Sequence, residues 1–380
     1  MRRIQNFVIG PPTPSETGLR VSGFFCNDLS QNLIRCQAGG GRRGLAEMGG
    51  GDEAFCPNAL FAKPAAGGAD GYLCTMDFGR LPDLRYVDFR LPTDHPETAR
   101  VLARARATQP TPAGLHVGCP IWTNKEWLGT YFPAGIKEPD YLHYYAQQFN
   151  SIELNTTHYR IPDAGTVRRW KAAVGPDFKF CPKLPRSISH ERELFQADDL
   201  VVSTARAFES LGENLGWAFL QLPPHFGPEH LPRLERFLLD FPEAVPLAVE
   251  LRHPRWFADQ GLADAVYATF EALNKTLVIT DVAGRRDVLP MRLTTPVAFI
   301  RFNGHGLHST DYQRADAWAE RLAAWVAQGV HEIYFFIHQK DVRHAPVFAT
   351  YFLDKMRALT GIAVPPPFVI PQPVQGNLFG

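Results

Sequence analysis

From Leu115 to Leu359 the chain repeats one unit: a short apolar run, a polar turn, then an amphipathic stretch at helical spacing. Eight runs read as strands: Leu115–Trp122, Ser151–Thr157, Lys179–Pro185, Trp217–Pro223, Pro246–His253, Thr276–Val282, Val297–Gly304 and Glu332–Gln339. Helical patterns lie between them, at Asp140–Phe149, Pro232–Asp240, Asp264–Leu273, Asp316–Gln328 and Pro346–Leu359. Eight strands alternating with helices over about 250 residues is the length of a (β/α)8 TIM barrel. An open doubly wound sheet would carry a glycine-rich first turn. Here the first run leads into Gly118-Cys119-Pro120-Ile121-Trp122, with no G-x-G-x-x-G. The expected class is α/β, a (β/α)8 TIM barrel over residues 114–362.

Side chains alternate along a strand, so one parity points into a barrel and the other at its helices. Polar residues belong on the inward parity, because the helix-facing side is apolar. That rule gathers Trp122, Glu153, Asn155, Thr157, Lys183, Gln221, Glu250, Arg252, Asp281, Arg301, Asn303 and His338 at the C-terminal ends of the strands. In barrel enzymes that end holds the active site. Three carboxylates (Glu153, Glu250, Asp281) facing three cations (Lys183, Arg252, Arg301) would also balance as a structural ion-pair network. Their gathering at one mouth favours a pocket.

Residues 1–113 differ in kind. Gly39-Gly40-Gly41 and Gly49-Gly50-Gly51 flank Arg42 and Arg43, and prolines recur at Pro11, Pro12, Pro14, Pro110 and Pro112. The apolar pattern is too broken to build a core alone. The expectation is a poorly structured, dispensable extension with two stretches able to order, a strand at Leu84–Leu91 and a helix at Glu97–Ala107. A chain starting near Ala113 is then expected to keep its stability. Residues 363–380 form a proline-rich tail ending in Gln375-Gly376-Asn377-Leu378-Phe379-Gly380. Its Q-x-x-L-F resembles the short peptide by which DNA polymerases and repair proteins dock on the bacterial sliding clamp. Gln375, Leu378 and Phe379 would be its partner-binding residues.

The 39 basic and 39 acidic residues cancel, so the chain lacks the basic footprint of a dedicated nucleic-acid binder. The first residues lack the apolar run of a signal peptide, and no stretch of eighteen apolar residues exists. A cytoplasmic protein without membrane contact is expected. Cys26, Cys36, Cys56 and Cys74 show no C-x-x-C pair and read as free thiols. Cys119 and Cys181 read as apolar fillers of buried strands.

The strand-end residues sit in recognisable phrases. GCPIWTNKEWLGTYFP, FNSIELNTTHYRIP, FKFCPKLPRSISH, FLQLPPHF, AVELRHPRWF and FIRFNGH occur in that order. Together they resemble the YecE-like family, domain of unknown function 72, across about residues 115–360. The resemblance implies a TIM barrel in which Glu153, Asn155, Tyr159, Lys183, Gln221, Glu250, Arg252, Trp256, Asp281 and Arg301 match the family pattern. The chain departs where Pro120-Ile121 replaces the usual Ser-Gly pair, and where His338-Gln339 replaces two asparagines. The family brings no established reaction.

Three chemistries suit these residue types. Glu153 and Glu250 could serve as a glycosidase acid/base pair, with Trp122, Trp127, Tyr159 and Trp256 stacking on sugar. Histidines after strand ends (His158, His190, His225, His253, His305, His308, His338, His344) could join Glu250 and Asp281 on a divalent metal, though no H-E-x-x-H spacing occurs. Lys183 could form a Schiff base, but Glu153 and Glu250 are expected to keep it charged. The preferred expectation is therefore an enzyme on an anionic, phosphate-bearing substrate, small molecule or nucleic acid. Glu153, Lys183, Glu250 and Asp281 are its catalytic candidates. The alternative is a non-catalytic binding module of DNA maintenance that docks on the sliding clamp.

Overall fold

The computed structural model describes residues 78–108 and 113–371. The strands are β1 (Gly114–Cys119), β2 (Ser151–Leu154), β3 (Lys179–Pro182), β4 (Ala218–Gln221), β5 (Leu247–Glu250), β6 (Thr276–Asp281), β7 (Val297–Asn303) and β8 (Glu332–His338). All neighbours pair in parallel, in the order β3-β2-β1-β8-β7-β6-β5-β4. Short bridges close the ring between β3 and β4, at Phe180 with Leu215 and Lys183 with Phe219. There the Leu184 N–H donates to the Phe219 carbonyl at 2.9 Å. The result is a (β/α)8 barrel. Each expected strand is present, and each stops earlier than expected at its C-terminal end. Asn155–His158, for example, leaves β2 as a 3-10 turn.

The alternation sorts the strands' side chains into two layers. Cys181, Phe219, Ala248, Val278, Phe299, Tyr334 and Phe336 fill the barrel interior. Val117, Ile152, Phe180, Ile279, Ile300 and Phe335 pack outward in a core shared with helices. Close approach of β1 and β2 requires a glycine. A Cβ on Gly118 would stand 2.0 Å from the Ser151 carbonyl oxygen. The Tyr145 hydroxyl bridges the same strands, donating to Ser151 O at 2.9 Å and accepting from Cys119 N–H at 2.8 Å.

The outer ring contains α2 (Tyr141–Gln148), α3 (Ala164–Ala173), α4 (Asp198–Glu209), α5 (Leu231–Asp240), α6 (Arg255–Ala258), α7 (Gln260–Ala272), α8 (Ser309–Gln328) and α9 (Ala345–Thr360). The connection from β6 to β7 has a single 3-10 turn, Arg286–Val288, and no α-helix. A helix from the N-terminal side, α1 (Pro96–Thr108), stands against that gap. Its Thr98 hydroxyl donates to Met291 O and accepts from Leu293 N–H. Arg100 reaches Glu271 of α7 at 2.8 Å, and Arg106 donates to Ala327 O of α8 at 2.9 Å. Asp94, just before the helix, accepts from Arg321 and from Trp325 Nε1 of α8. Leu102 is fully buried in the main core.

The helix expected at Glu97–Ala107 is present as α1, and its contacts count against a detachable extension over the described residues. Residues 96–108 are integral to the barrel wall, because the apolar outer faces of β6 and β7 need cover that their own connection does not supply. Leu84–Leu91 is not a strand. It turns early, with the Val87 N–H donating to Leu84 O. At the other end, residues 363–371 lie back on the barrel: the Phe368 N–H donates to Gln148 Oε1 at 2.8 Å and the Ile370 N–H to Thr130 O at 2.7 Å. Gln375, Leu378 and Phe379 lie outside the described residues, as do Cys26, Cys36, Cys56 and Cys74. Cys119 and Cys181 are buried free thiols, as expected. No helix among the described residues is long and apolar enough to cross a membrane.

Candidate functional site at the barrel mouth

The C-terminal ends of the strands hold one connected group of polar side chains. Arg301, on the inward parity of β7, is fully buried at its centre. It donates through Nε and one terminal nitrogen to both oxygens of Glu153 on β2, at 2.8 and 2.9 Å. Its other terminal nitrogen donates to Glu250 Oε2 on β5 at 2.8 Å. The fork geometry of guanidinium makes such two-sided pairing natural. Glu153 also accepts from Asn155 at 3.0 Å and from His338 Nε2 at 2.8 Å. Glu250 also accepts from Arg252 Nε, Gln221 Nε2 and the Thr280 hydroxyl, at 2.9, 2.8 and 3.1 Å.

Both carboxylates are thus saturated with donors. Burial alone would raise the Glu153 carboxyl, but Arg301 and His338 outweigh it and hold the group well below the carboxylate range. Burial opposes ionisation of Glu250 too, and Arg252 with Arg301 brings it down to about 2. A glycosidase general acid needs the reverse, a carboxyl held protonated near neutral pH. Neither residue offers it. Their oxygens are occupied, and among the described residues no cluster of three or more His, Cys, Asp or Glu fits a metal ion.

Lys183 stands apart. Its Nζ donates to the Gln221 amide oxygen at 2.8 Å, and no carboxylate lies within ion-pair distance of it among the described residues. It is 6% exposed. Burial, then Arg301 and Arg252, lower its ammonium to about 8. His158 and His190 lie beside it, their rings 5.1 Å apart. Burial, with Lys183 adding repulsion, pushes them down to about 3 and about 4, so both are neutral. The Phe78 ring lies over Arg252 at 4.3 Å and over Arg285 at 4.7 Å.

The inward parity therefore brings together Glu153, Asn155, Lys183, Gln221, Glu250, Arg252, Arg301 and His338. Asn303 is at the end of β7, where its amide makes a long bond to Arg301 O at 3.4 Å. Thr157 is buried and braces two strand ends, its hydroxyl proton shared between Leu154 O and Lys183 O, each 2.8 Å away. Trp122 is half-buried, edge-on to Trp170, and Tyr159 is exposed.

Three expectations are corrected. Asp281 does not face the barrel. It accepts from Arg286, from Arg314 at 3.3 Å and from Trp318 Nε1 at 2.7 Å, the last two on α8. Burial is outweighed by these arginines, which keep it ionised. Its neighbour Thr280 takes the inward place, because Thr276 and Val278 already set that parity. Trp256 is buried between helices, its Nε1 donating to Phe226 O at 2.8 Å. Trp127 packs on Phe132, Tyr145 and Phe149 in the main core. Neither tryptophan can stack on a ligand. Thr280 and Phe78 went unread. Strict parity counted from Val278 would have found the first, but no sequence signal brings Phe78 to Arg252.

Comparison with known proteins agrees with this architecture. The family model described as "Protein of unknown function DUF72" matches residues 116–369. The UPF0759 protein YecE of Escherichia coli strain K12 is 31% identical over 289 residues, covering 70% of this chain and 100% of the relative. The O157:H7 counterpart gives the same figures. A crystal structure of a DUF72 family protein from Enterococcus faecalis V583 is 18% identical. It aligns with a TM-score of 0.50 over 66% of this chain and 99% of that one, a likeness in fold alone.

Proposed function

The chain belongs to the DUF72 family, and from that premise and the barrel mouth we propose an enzyme acting on an anionic, phosphate- or carboxylate-bearing substrate. The observation that carries this reading is the unequal pairing of charges. Arg301 and Arg252 pair with the two carboxylates, while among the described residues Lys183 donates to a neutral amide. Among the described residues Lys183 has no carboxylate within ion-pair distance, although it is buried beside two arginines. A buried ammonium held by a neutral amide is costly, so an anionic ligand group is the natural complement. Arg252 and Arg301 add to the field that attracts it. Asn155 and the exposed Tyr159 stand at the rim, suited to orienting the rest of a small molecule or nucleotide.

Inorganic phosphate tests the reading. Any ligand that prefers the folded state raises the melting temperature. Phosphate at millimolar concentration should do so for the natural chain, and Lys183→Met should fold and lose the shift. If Lys183→Met fails to fold, Lys183 is a structural charge partner and the reading falls.

A second reading rests on Q-x-x-L-F beyond the proline spacer: the tail docks on a DNA sliding clamp, and the barrel works in DNA maintenance. Leu378 and Phe379 are large apolar groups of the kind that a partner's pocket receives.

A further inference from the structure

We propose that Lys183 is a nucleophilic amine that forms an imine with the carbonyl carbon of an anionic aldehyde or keto acid. The inference deepens the anionic-substrate reading and rests on it for the charged half of the ligand. Its basis is the division of labour among the mouth's cations. Guanidinium groups cannot give up their protons in a protein, and they hold Glu153 and Glu250. The amine, which can, is held at 2.8 Å by Gln221 Oε1. That amide in turn donates to Glu250 Oε2 at 2.8 Å. Gln221 therefore stands between the amine and the Glu250 carboxylate.

The distinction is chemical. A carboxylate partner favours the ammonium and so retains the proton. An amide oxygen accepts a hydrogen bond from –NH2 as well as from –NH3+, so loss of the proton leaves the lysine anchored. The stronger influences on it push the same way. Arg252 and Arg301 repel a third positive charge, and burial disfavours it further. Glu153 and Glu250 pull in the opposite direction, but more weakly than the arginines push. His158 and His190 are neutral. Desolvation beside other cations is an established way of activating a lysine. Lys183 also sits at the seam where β3 meets β4, bridged to Phe219, so its backbone is fixed by the closing of the barrel.

The step balances without a further reactant. The Nζ lone pair forms a bond to the carbonyl carbon, and the carbonyl oxygen takes a proton to give a carbinolamine. That oxygen then leaves as water, taking a second proton, as the C=N bond forms. Amine and carbonyl give imine and water. Protonated, the imine draws electrons from the bond beside it, which suits cleavage or proton removal at the adjacent carbon. The anionic group of the substrate would lie toward Arg252 and Arg301.

The test uses the full chain with pyruvate, and separately with glyceraldehyde 3-phosphate, in the presence of sodium cyanoborohydride. Intact mass and peptide mapping read the result. One reduced addition per chain, mapped to Lys183, is expected, with a yield that rises several-fold on approaching pH 8 from below. Lys183→Arg should fold and lack it. Should that variant not fold, the mapped site in the natural chain still decides. Additions confined to surface lysines, or unchanged in Lys183→Arg, overturn the proposal. A retained phosphate-induced melting shift with no addition at Lys183 sinks the imine alone. Loss of both sinks the anionic-substrate reading with it.

Discussion

At the scale of single residues, ionisation is set by which partner each side chain meets. Glu250 sits at about 2 against an ordinary 4.5 because Arg252 and Arg301 overcome its burial. A carboxyl depressed in the folded state stabilises fully above the unfolded value, and that contribution is lost as pH falls through the folded one. Acid titration followed by circular dichroism should show stability falling between about pH 4.5 and about pH 2. Glu250→Gln should flatten that slope, and an unchanged slope would remove Glu250 from the account. Lys183 obeys the opposite charge rule. Its folded value of about 8 lies below the ordinary 10.5, so between them the unfolded chain binds more protons and stability rises with pH. Protonated Lys183 is then a burden at neutral pH. Lys183→Met is expected to be more stable there by about 3 kcal/mol, with the gap closing toward pH 10.5. Denaturant midpoints at neutral and alkaline pH measure the gap, and an equal gap at both rules the mechanism out.

At the scale of elements, α1 is the lesson. It completes a helical ring that the β6–β7 connection leaves open, and Leu102 anchors it among core residues that include Ile279 and Leu293. Gly329, the C-cap of α8, makes the close approach feasible. Its φ is +117°, and a Cβ there would lie 2.8 Å from the Leu102 carbonyl oxygen. Leu102→Ala should cost about 2–5 kcal/mol, the range for emptying a packed leucine site. A chain beginning at Ala113 should melt far lower than the full chain or aggregate, since the outer faces of β6 and β7 become exposed. A truncated chain with an unchanged melting temperature would show that α1 adds nothing to the wall.

At the scale of the whole molecule, the barrel and its tail make separate predictions. A peptide of residues 370–380 is expected to bind a bacterial sliding clamp with micromolar affinity and to lose binding when Leu378→Ala and Phe379→Ala are combined. Calorimetry without heat, and without competition against a known clamp peptide, would dissociate this barrel from DNA. The eight strands, the inward parity and the polar mouth were legible because they depend on local periodicity: two residues per repeat in a strand, and a strand-helix unit repeated along the chain. That local rule placed Glu153, Lys183, Glu250, Arg252 and Arg301 together. It failed at Asp281, where a charged residue outweighed the parity of Val278 and Thr280. No local rule could choose partners. Arg301 and Glu153 are 148 residues apart, and only closure of the barrel settles that the arginines take both carboxylates and leave Lys183 to a neutral amide. Closure likewise opened the slot that α1 fills, because the shortage of helix between β6 and β7 matters only once the ring around the strands must be complete.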